Sequence, residues 1–303
     1  MTKQSRVAAV VVTFNRLDFL KKCINHLLSQ TILPAEILII DNASTDDTQR
    51  EITALAQQNE LINYQRLEKN VGGAGGFNYG IKAAFTNPII DDVWLMDDDT
   101  MPRPETLEKL LEAENKLDHK FGFLVSNARW AKNGHAALMN VPETTAGWND
   151  LAENGLIGLK TGTFVSFLTS RAVVEKVGLP IKEFFIWSDD LEFSSRISKK
   201  YPGYFVIDSL VDHDMAKNQS VQFLQENDPN RLGRYYYSFR NKLYIEHRDG
   251  HRGYLRYKIS LLSLIFSLPF KRISYKGKKE KILIRGFFSG LRFRPKVEFL
   301  KNK

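Results

Sequence analysis

Cysteine and long apolar runs are the features that the sequence most clearly lacks. Cys23 is the single cysteine among 303 residues, which excludes an internal disulfide or a zinc site built from cysteines and fits a reducing compartment. The twelve uncharged residues at 259–270 fall short of the roughly 20 that a membrane-spanning helix needs. We interpret the short apolar stretch at 7–12 as a buried strand and not as a signal peptide.

Acidic residues are scarce in the last quarter of the chain. Residues 231–303 contain 20 Lys and Arg against 4 Asp and Glu, whereas residues 1–230 contain 23 against 31. An acidic body with a basic tail presents two different surfaces, and the tail requires an anionic partner. Charge alone allows a membrane, a nucleic acid or an anionic glycan. We disfavour a nucleic acid, because no recognised nucleic-acid-binding motif accompanies the basic residues.

Strand and helix patterns alternate through the first hundred residues. Strands are predicted at the apolar runs 7–12, 36–40, 63–67 and 93–96. A helix is predicted at 17–29, Ser44 is the predicted N-cap of a second helix, and a glycine-rich turn at 72–76 leads into a third. This alternation predicts a doubly wound, mostly parallel α/β sheet. Shorter strands are predicted further on, at 122–126, 163–169 and 204–208.

Polar clusters follow four of these strands. They lie at 13–16, at 41–42, at the glycine-rich turn 72–76 and at 97–99. In open α/β sheets, ligands bind beyond the carboxyl ends of the strands. One such cluster is usually a cap or a turn. Four clusters at successive strand ends predict a binding site.

The glycine-rich turn does not match either common nucleotide-binding motif. It lacks the Gly-Lys-Ser/Thr ending of a P-loop, and Asn78 stands where the G-x-G-x-x-G pattern needs a glycine. A flexible turn is one explanation. Glycines crowded before a helix also let the backbone approach a ligand closely, and helix N-termini favour phosphate. We favour ligand contact over the flexible turn.

Three aspartates, Asp97, Asp98 and Asp99, directly follow an apolar strand, where like charges repel one another. A hard divalent cation, Mg²⁺ or Mn²⁺, would hold them together. In an extended segment Asp97 and Asp99 would converge while Asp98 faces elsewhere. A phosphoryl-transferring Asp-x-Asp-x-Thr motif is a rival explanation, but it requires Thr or Val at the position of Met101. A solvated acidic turn is the third alternative.

A second acidic group, Asp189, Asp190 and Glu192, lies beside aromatic residues. Those aromatic residues are Phe184, Phe185 and Trp187. Apolar walls raise the pKa of a carboxyl group, which suits a general base. The alternative is an acidic helix N-terminus capped by Ser188, and both can hold together. His213 lies downstream as a candidate metal ligand, although a lone histidine is usually structural.

These segments carry a family resemblance. In order they are VTFNR, DNASTDDT, NVGGAGGFNYG, WLMDDDTMP, WSDDLEF and a downstream histidine. Together they resemble the family 2 inverting glycosyltransferases of GT-A fold, over about residues 6–215. The glycine motif combined with three aspartates looks most like bacterial galactofuranosyltransferases, with rhamnosyltransferases next. The resemblance implies a GT-A mixed sheet and a UDP-galactofuranose donor, with dTDP-rhamnose as the alternative.

The resemblance also implies a role for each matching residue. The donor-binding residues would be Thr13, Phe14, Asn15, Arg16, Asp41, Asn42, Asn70, Gly72, Gly73, Asp97 and Asp98. Mn²⁺ or Mg²⁺ would be held by Asp97, Asp99 and His213. Asp190 would be the catalytic base. The acceptor would be bound by Trp187, Asp189 and Glu192.

The basic end of the chain is predicted to be a separate helical region, residues 229–303, following a catalytic domain at 1–228. Within it, residues 254–270 combine the uncharged stretch with flanking Lys and Arg, as in an interfacial helix on anionic lipid. Packing of that apolar face on the catalytic domain, or a homo-oligomer, is the alternative.

Two classes of function follow from these features. The first is an enzyme that adds sugar to a lipid-linked polysaccharide, cytoplasmic and peripheral on the inner face of the cell membrane. The second is a non-catalytic protein that binds nucleotide sugars and serves in assembly. The sequence favours the enzyme, because it keeps both the base and the metal pair.

Overall fold

A computed structural model describes residues 4–138, 141–215, 218 and 222–300, and its centre is one nine-stranded sheet. The strands are β1 (Val7–Thr13), β2 (Glu36–Asp41), β3 (Ile62–Arg66), β4 (Asp92–Asp97), β5 (Thr100–Pro102), β6 (Phe123–Trp130), β7 (Leu156–Leu159), β8 (Val165–Ser170) and β9 (Gly203–His213). The helices are α1 (Leu17–Leu28), α2 (Thr48–Gln58), α3 (Gly72–Ala84), α4 (Thr106–Lys116), α5 (Arg171–Val177), α6 (Asp189–Ser198), α7 (Pro229–Leu232), α8 (Arg234–Asp249), α9 (His251–Ser267) and α10 (Lys276–Arg292).

The sheet is mixed, with strand order β3-β2-β1-β4-β8-β6-β9-β5, and β7 pairs with β9 outside this path. The first four strands pair in parallel, as the sequence predicts. β8 runs antiparallel to both β4 and β6, while β6 and β9 are parallel. The prediction of a mixed α/β sheet with a helical C-terminal region is therefore confirmed. Strands β5 and β7 were not predicted, because each has only three or four residues.

Strand β1 is apolar throughout because it is buried on both faces. Ala9 and Val11 pack with the helices α1, α2 and α4 on one side of the sheet. Ala8 and Val10 pack with α3, α5 and α6 on the other side. A strand covered by helices on both faces has no solvent side, so its sequence shows a continuous run and not an alternation.

The glycines at 72–76 lie inside helix α3 and not in a turn before it, which corrects the predicted boundary. A Cβ at Gly80 would lie 2.4 Å from a methyl group of Val10, and one at Gly76 would lie 2.6 Å from a methyl group of Val12. These glycines therefore let α3 approach β1 closely. Packing of helix on sheet explains part of the glycine motif without any ligand.

Helix α2 does not begin where the sequence predicted. Asp47 occupies the N-cap position, and Ser44 lies three residues further from the helix. The Ser44 hydroxyl instead accepts a hydrogen bond from the backbone N–H of Asn15, at 2.9 Å. Ser44 therefore ties the loop after β1 to the loop after β2.

The C-terminal helices form their own apolar cluster, which includes Leu232, Leu243, Leu261 and Leu283. The end of the chain then returns to the sheet domain. The carbonyl oxygen of Glu298 accepts a hydrogen bond from the N–H of Leu179 at 2.7 Å, and its carboxylate pairs with Lys82 and Lys182. In the part of the chain that the structure describes, no helix combines the length and the apolar character needed to span a membrane.

Candidate active site

The polar ends of strands β1, β2 and β4 meet at one edge of the sheet. Thr13 lies opposite Asp41, and Val12 lies opposite Asp97 in the parallel pairing. The polar clusters that follow these three strands therefore lie side by side. The register follows from the sheet itself, because parallel strands in register end at the same edge.

Arg16 lies between two of the three aspartates. Its Nη1 is 2.9 Å from Oδ1 of Asp98 and 2.8 Å from Oδ2 of Asp99, and the Thr13 hydroxyl donates to Oδ2 of Asp98 at 2.7 Å. Strand β4 ends at Asp97, and the chain turns through the next two residues. The expectation that Asp98 faces away from Asp99 is therefore wrong. An arginine from the neighbouring strand end stabilises the crowded carboxylates.

Asp99 is also paired with His213 at the end of β9. The Nε2 atom of His213 is 3.1 Å from Oδ1 of Asp99, because the short strand β5 places Thr100 opposite His213. Burial alone would raise the pKa of Asp99, but the hydrogen bond and charge of His213, together with Arg16, lower it to about 2. Asp99 is therefore ionised at neutral pH.

Asp97 is buried among acidic neighbours that disfavour its ionised form. Burial and the charges of Asp99, Asp98 and Asp189 raise the pKa of Asp97 well above its ordinary value. Burial raises the pKa of Asp98 to about 7, although Arg16 opposes this shift. The site therefore has an excess of negative charge that a cation would relieve.

The donor atoms present fit a hard divalent cation. The carboxylate oxygens of Asp97 and Asp99 are ligands that Mn²⁺ and Mg²⁺ prefer. The imidazole of His213 beside them is a common nitrogen ligand of metals. Across the described ranges, no three His, Cys, Asp or Glu side chains are already assembled as a metal site. The chemistry fits, and the side chains would have to close around the ion.

Several predicted donor-binding residues hold one another in place. Asp41 is fully buried; its oxygens accept hydrogen bonds from Tyr64, from Arg66 and from the N–H of Ser44. Asn42 donates to the carbonyl of Gly72 at 3.2 Å. The remaining predicted contacts follow: Asn15 accepts from the N–H of Thr45, Asn70 accepts from the N–H of Gly72, and Phe14 is 40% exposed. These contacts shape the rim around the strand ends.

A loop at 184–188 precedes the second acidic group and contacts the glycines of α3. We call it the base loop, because it precedes the predicted base, Asp190. The carbonyl oxygen of Phe185 accepts a hydrogen bond from the N–H of Ala74 at 3.2 Å. It also lies 1.9 Å from where a Cβ on Gly72 would be, and Gly72 has φ +75°. Gly72 is therefore required by backbone contact. Around Gly73, by contrast, a Cβ would meet nothing within 4 Å.

We expect Gly72→Ala and Gly73→Ala to separate a structural role of glycine, at position 72, from a role in ligand contact, at position 73. Gly72→Ala should lower the melting temperature and abolish activity, because the new methyl meets a backbone carbonyl in a left-handed conformation. Gly73→Ala should leave the melting temperature unchanged or higher, since alanine favours a helix by about 1 kcal/mol. If Gly73 faces the donor diphosphate, its methyl should raise the donor KM. Thermal melting and donor kinetics check both, and a fully active Gly72→Ala would contradict the contact.

The second acidic group begins helix α6. Burial raises the pKa of Asp190 to about 6, while burial and the charge of Asp190 raise the pKa of Asp189 to about 8. The predicted raised pKa of Asp190 is thus present. Ser188 occupies the N-cap position, but its side chain makes no capping hydrogen bond because its backbone is left-handed, with φ 67°. The predicted N-cap position of Ser188 is therefore correct, but its side chain does not supply the capping bond.

Glu192 does not face the site as the acceptor role would require. Its side chain is fully buried between Arg196, at 2.9 Å, and Arg248, at 2.5 Å. This carboxylate therefore anchors α6 to α8 and has no exposed oxygen for an acceptor. Trp187 is half-buried, with its ring 5.0 Å from that of Tyr235.

Arg234 is a residue that sequence reasoning missed. Burial and the charges of Arg231 and Arg16 lower the pKa of Arg234, so Arg234 lies within electrostatic range of Arg16, beyond the end of β1. Helix α8 thus brings a basic side chain towards the strand ends. The only sequence signal was the general basicity of the tail, which does not distinguish one arginine from another.

A known protein family matches the part of the chain that forms this site. The model of Glycosyl transferase family 2 matches residues 8–170, which is more than half of the chain. The chain belongs to glycosyltransferase family 2. It is therefore an enzyme of the glycosyltransferase class, as the sequence motifs predict. The matched range contains the strand ends, the glycines and the three aspartates.

Relatives of this family 2 enzyme include two named transferases. The chain is 27% identical over 261 residues to galactofuranosyltransferase GlfT1 of Mycobacterium tuberculosis, covering 82% of this chain and 84% of the relative. It is also 27% identical over 112 residues to glycosyltransferase GlyG of Streptococcus pneumoniae, covering 37% and 36%. The first likeness extends beyond the family domain into the C-terminal half.

Solved structures confirm the GT-A fold of this family 2 enzyme. The structure of GalNAc-T7 with UDP, GalNAc and Mn²⁺ matches with a TM-score of 0.62 at 16% identity, over 91% of this chain and 54% of that chain. Staphylococcus aureus TarS 1–349 matches with a TM-score of 0.53 at 16% identity, over 95% and 72%. The chain spans about half the length of the GalNAc-T7 chain.

Proposed function

We propose that this enzyme is a metal-dependent, inverting galactofuranosyltransferase that uses UDP-galactofuranose and acts on a lipid-linked glycan. One observation carries the proposal: the donor edge and the base meet. The carbonyl oxygen of Phe185 in the base loop accepts a hydrogen bond from the N–H of Ala74 in the first turn of α3, and Asn42 after β2 donates to the carbonyl oxygen of Gly72 in the same turn. An attacking hydroxyl and a leaving diphosphate would therefore lie next to each other.

Asp190 is the general base in this proposal. It takes the proton of an acceptor hydroxyl while that oxygen bonds to the anomeric carbon and the bond from that carbon to the diphosphate oxygen breaks. A pKa of about 6 leaves the carboxylate ionised at pH 7 and still basic enough to accept a proton. Because attack comes from the face opposite the diphosphate, one displacement inverts the anomeric centre.

The donor diphosphate would lie against the aspartates and the basic side chains around them. Asp97, Asp99 and His213 would hold Mn²⁺ or Mg²⁺, which when bound offsets the charge of the leaving group. Arg16 and Arg234 would add positive charge at the rim. Asp41 and Asn42 would form the wall of the nucleoside subsite through the contacts described above. Glu192 is reassigned from the acceptor to anchoring the helix that carries Asp190.

A donor panel tests this function. Release of nucleotide should be measured side by side with UDP-galactofuranose, UDP-galactopyranose, UDP-glucose and dTDP-rhamnose, each with Mn²⁺. We expect UDP-galactofuranose to give the highest kcat/KM, because GlfT1, which matches 82% of this chain, is a galactofuranosyltransferase. A preference for dTDP-rhamnose would leave the fold and mechanism standing and overturn the donor. A preference for a pyranose UDP-sugar would overturn the inference from the glycine motif.

We also propose that helix α9 and the residues after it bind an anionic membrane surface. Phe266 is 73% exposed and Phe270 is 88% exposed, and Lys271 and Arg272 follow directly. Exposed aromatic residues beside basic side chains suit the headgroup region of an anionic bilayer. An enzyme whose acceptor is lipid-linked would then work at the cytoplasmic face of the membrane.

Vesicle sedimentation should check the membrane surface. Phe266→Asp together with Phe270→Asp is expected to weaken binding to phosphatidylglycerol vesicles at least tenfold, because it removes apolar burial and adds repulsion. Ile89→Asp, at an apolar side chain of the sheet domain that is 48% exposed, is the control and should bind normally. Equal binding of all three proteins would contradict this surface.

A further inference from the structure

The base loop is strained. Phe185 and Trp187 both have φ 65°, and Ser188 has φ 67°. For side chains other than glycine, each left-handed residue costs roughly 1–2 kcal/mol, so such a loop persists only when its surroundings fix it. Its last residue is followed directly by Asp189 and Asp190. Whatever fixes this loop also fixes the position of the proposed base.

Helix α8 supplies a buried amide that holds the loop. Asn241 is fully buried, and its Nδ2 donates to the carbonyl oxygens of Phe184 at 3.0 Å, Ile186 at 3.3 Å and Trp187 at 2.9 Å. The two N–H bonds of one side chain are therefore shared among three backbone carbonyls of one short segment. Backbone groups without secondary structure require such partners when they are buried.

Arg240 orients that amide. Its Nε and Nη2 donate to Oδ1 of Asn241 at 3.0 and 2.9 Å, so the amide nitrogen must face the loop. The same Nη2 reaches the carbonyls of Glu183 at 2.5 Å and Phe184 at 3.1 Å. Arg240 is itself held against the ring of Phe293, with its guanidinium carbon 4.0 Å from the ring centroid. Arg240 and Asn241 together therefore contact four backbone carbonyls between positions 183 and 187.

Aromatic contacts from the same helix hold the side chains of the loop. The rings of Tyr237 and Phe185 stack at 4.8 Å, and the rings of Tyr235 and Trp187 meet edge to face at 5.0 Å. The opposite side of the loop rests on Ala74 and Gly72 of α3. The loop is thus fixed between the glycine helix and the basic C-terminal region.

We propose that Asn241, oriented by Arg240, is a positioning residue for transfer: it holds the strained base loop so that Asp190 is aligned with the acceptor hydroxyl. This inference rests on the proposed role of Asp190 as the base. It gives the C-terminal region a part in the reaction itself, beyond membrane attachment. Misplacing a reacting group by about 1 Å costs roughly 100-fold in rate.

Asn241→Asp is the variant that tests this role. It keeps the size of the side chain and the acceptor for Arg240, but it replaces the amide N–H groups with an oxygen that repels the loop carbonyls. We expect kcat to fall about 100-fold while the donor KM changes less than threefold. Hydrogen exchange of peptides spanning 184–190 should accelerate, while exchange in β1 stays as in the wild type. Asn241→Ser keeps a hydrogen-bond donor on a shorter side chain, so its kcat should lie between those of the wild type and Asn241→Asp.

Leu110→Ala is the matched control, because Leu110 of α4 is fully buried in the apolar cluster on the face of the sheet opposite α3, and that cluster contains no residue of the base loop. It should lower the melting temperature without changing kcat at a temperature where it is folded. Equal loss of kcat in this control would reduce Asn241 to a structural residue and overturn the inference.

Asp190→Asn, measured in the same series, separates the two proposals. If Asp190→Asn is inactive while Asn241→Asp and Asn241→Ser both turn over like the wild type, the positioning inference alone is overturned. If Asp190→Asn turns over normally, the base assignment fails and the inference that rests on it fails too. Should Asn241→Asp not fold, the kcat and exchange of Asn241→Ser decide in the same way.

Discussion

Asp190→Asn is expected to slow sugar transfer by about 10²- to 10⁴-fold while donor and metal still bind. The substitution is isosteric and removes only the proton acceptor. Transfer by the wild type should also decline as the pH falls through about 6, since burial raises the pKa of Asp190 to about that value and protonation removes the base. Single-turnover kinetics with a titration of nucleotide binding would measure both parts.

Asp189→Asn is the control for this prediction, since Asp189 is adjacent, buried and acidic as well. It should keep substantial turnover, because the neighbouring carboxylate remains. If Asp190→Asn stays active and Asp189→Asn does not, the base has been assigned one residue away from its true position.

Asp97→Ala and Asp99→Ala should each abolish transfer, because each removes a proposed ligand of the cation. In the metal-free protein at pH 7 the two should differ in stability. The pKa of Asp97 is raised in the fold, so its ionised form is destabilising and its removal should raise the melting temperature. The pKa of Asp99 is lowered to about 2, so its charge stabilises the fold above its ordinary pKa and its removal should lower the melting temperature.

Metal titration by thermal shift gives the second half of that test. Mn²⁺ at about 100 times its dissociation constant should stabilise the wild type by about 2.7 kcal/mol and neither variant by a comparable amount. Asp98→Asn should be milder in activity, because Asp98 is bonded to Thr13 and Arg16 and is not a proposed ligand. Equal loss at all three positions with unchanged metal binding would contradict this division.

The strands and the site edge were predictable because their signals are local. Strand β1 is a single apolar run, and the polar residues that follow each parallel strand must share an edge. The family motifs then supplied residue roles. The shape of the aspartate turn was not predictable, because it depends on Arg16, whose contact with Asp98 and Asp99 is made across 82 and 83 positions of sequence.

Contacts between distant segments account for the other differences. The family resemblance gave Glu192 an acceptor role. The sequence could not show that Glu192 is paired instead with Arg248, because Arg248 lies far along the chain, on α8. Glycine is required at position 72 because of the carbonyl group of Phe185. No local sequence pattern predicts this contact. Asn241 is the clearest case, since a lone asparagine in a basic helix carries no sign of the three carbonyls that it contacts.

Nucleotide release from UDP-galactofuranose, with a glycan acceptor present, is the most direct measurement of the central claim. It should be followed with Mn²⁺, after chelation and after Mn²⁺ is restored. We predict that release depends on the acceptor, stops on chelation and returns when the metal is restored. The Asp190→Asn variant should show no such release under any of these conditions. Tight nucleotide binding with no release under any of these conditions would contradict the account and favour a protein that only binds nucleotide sugars.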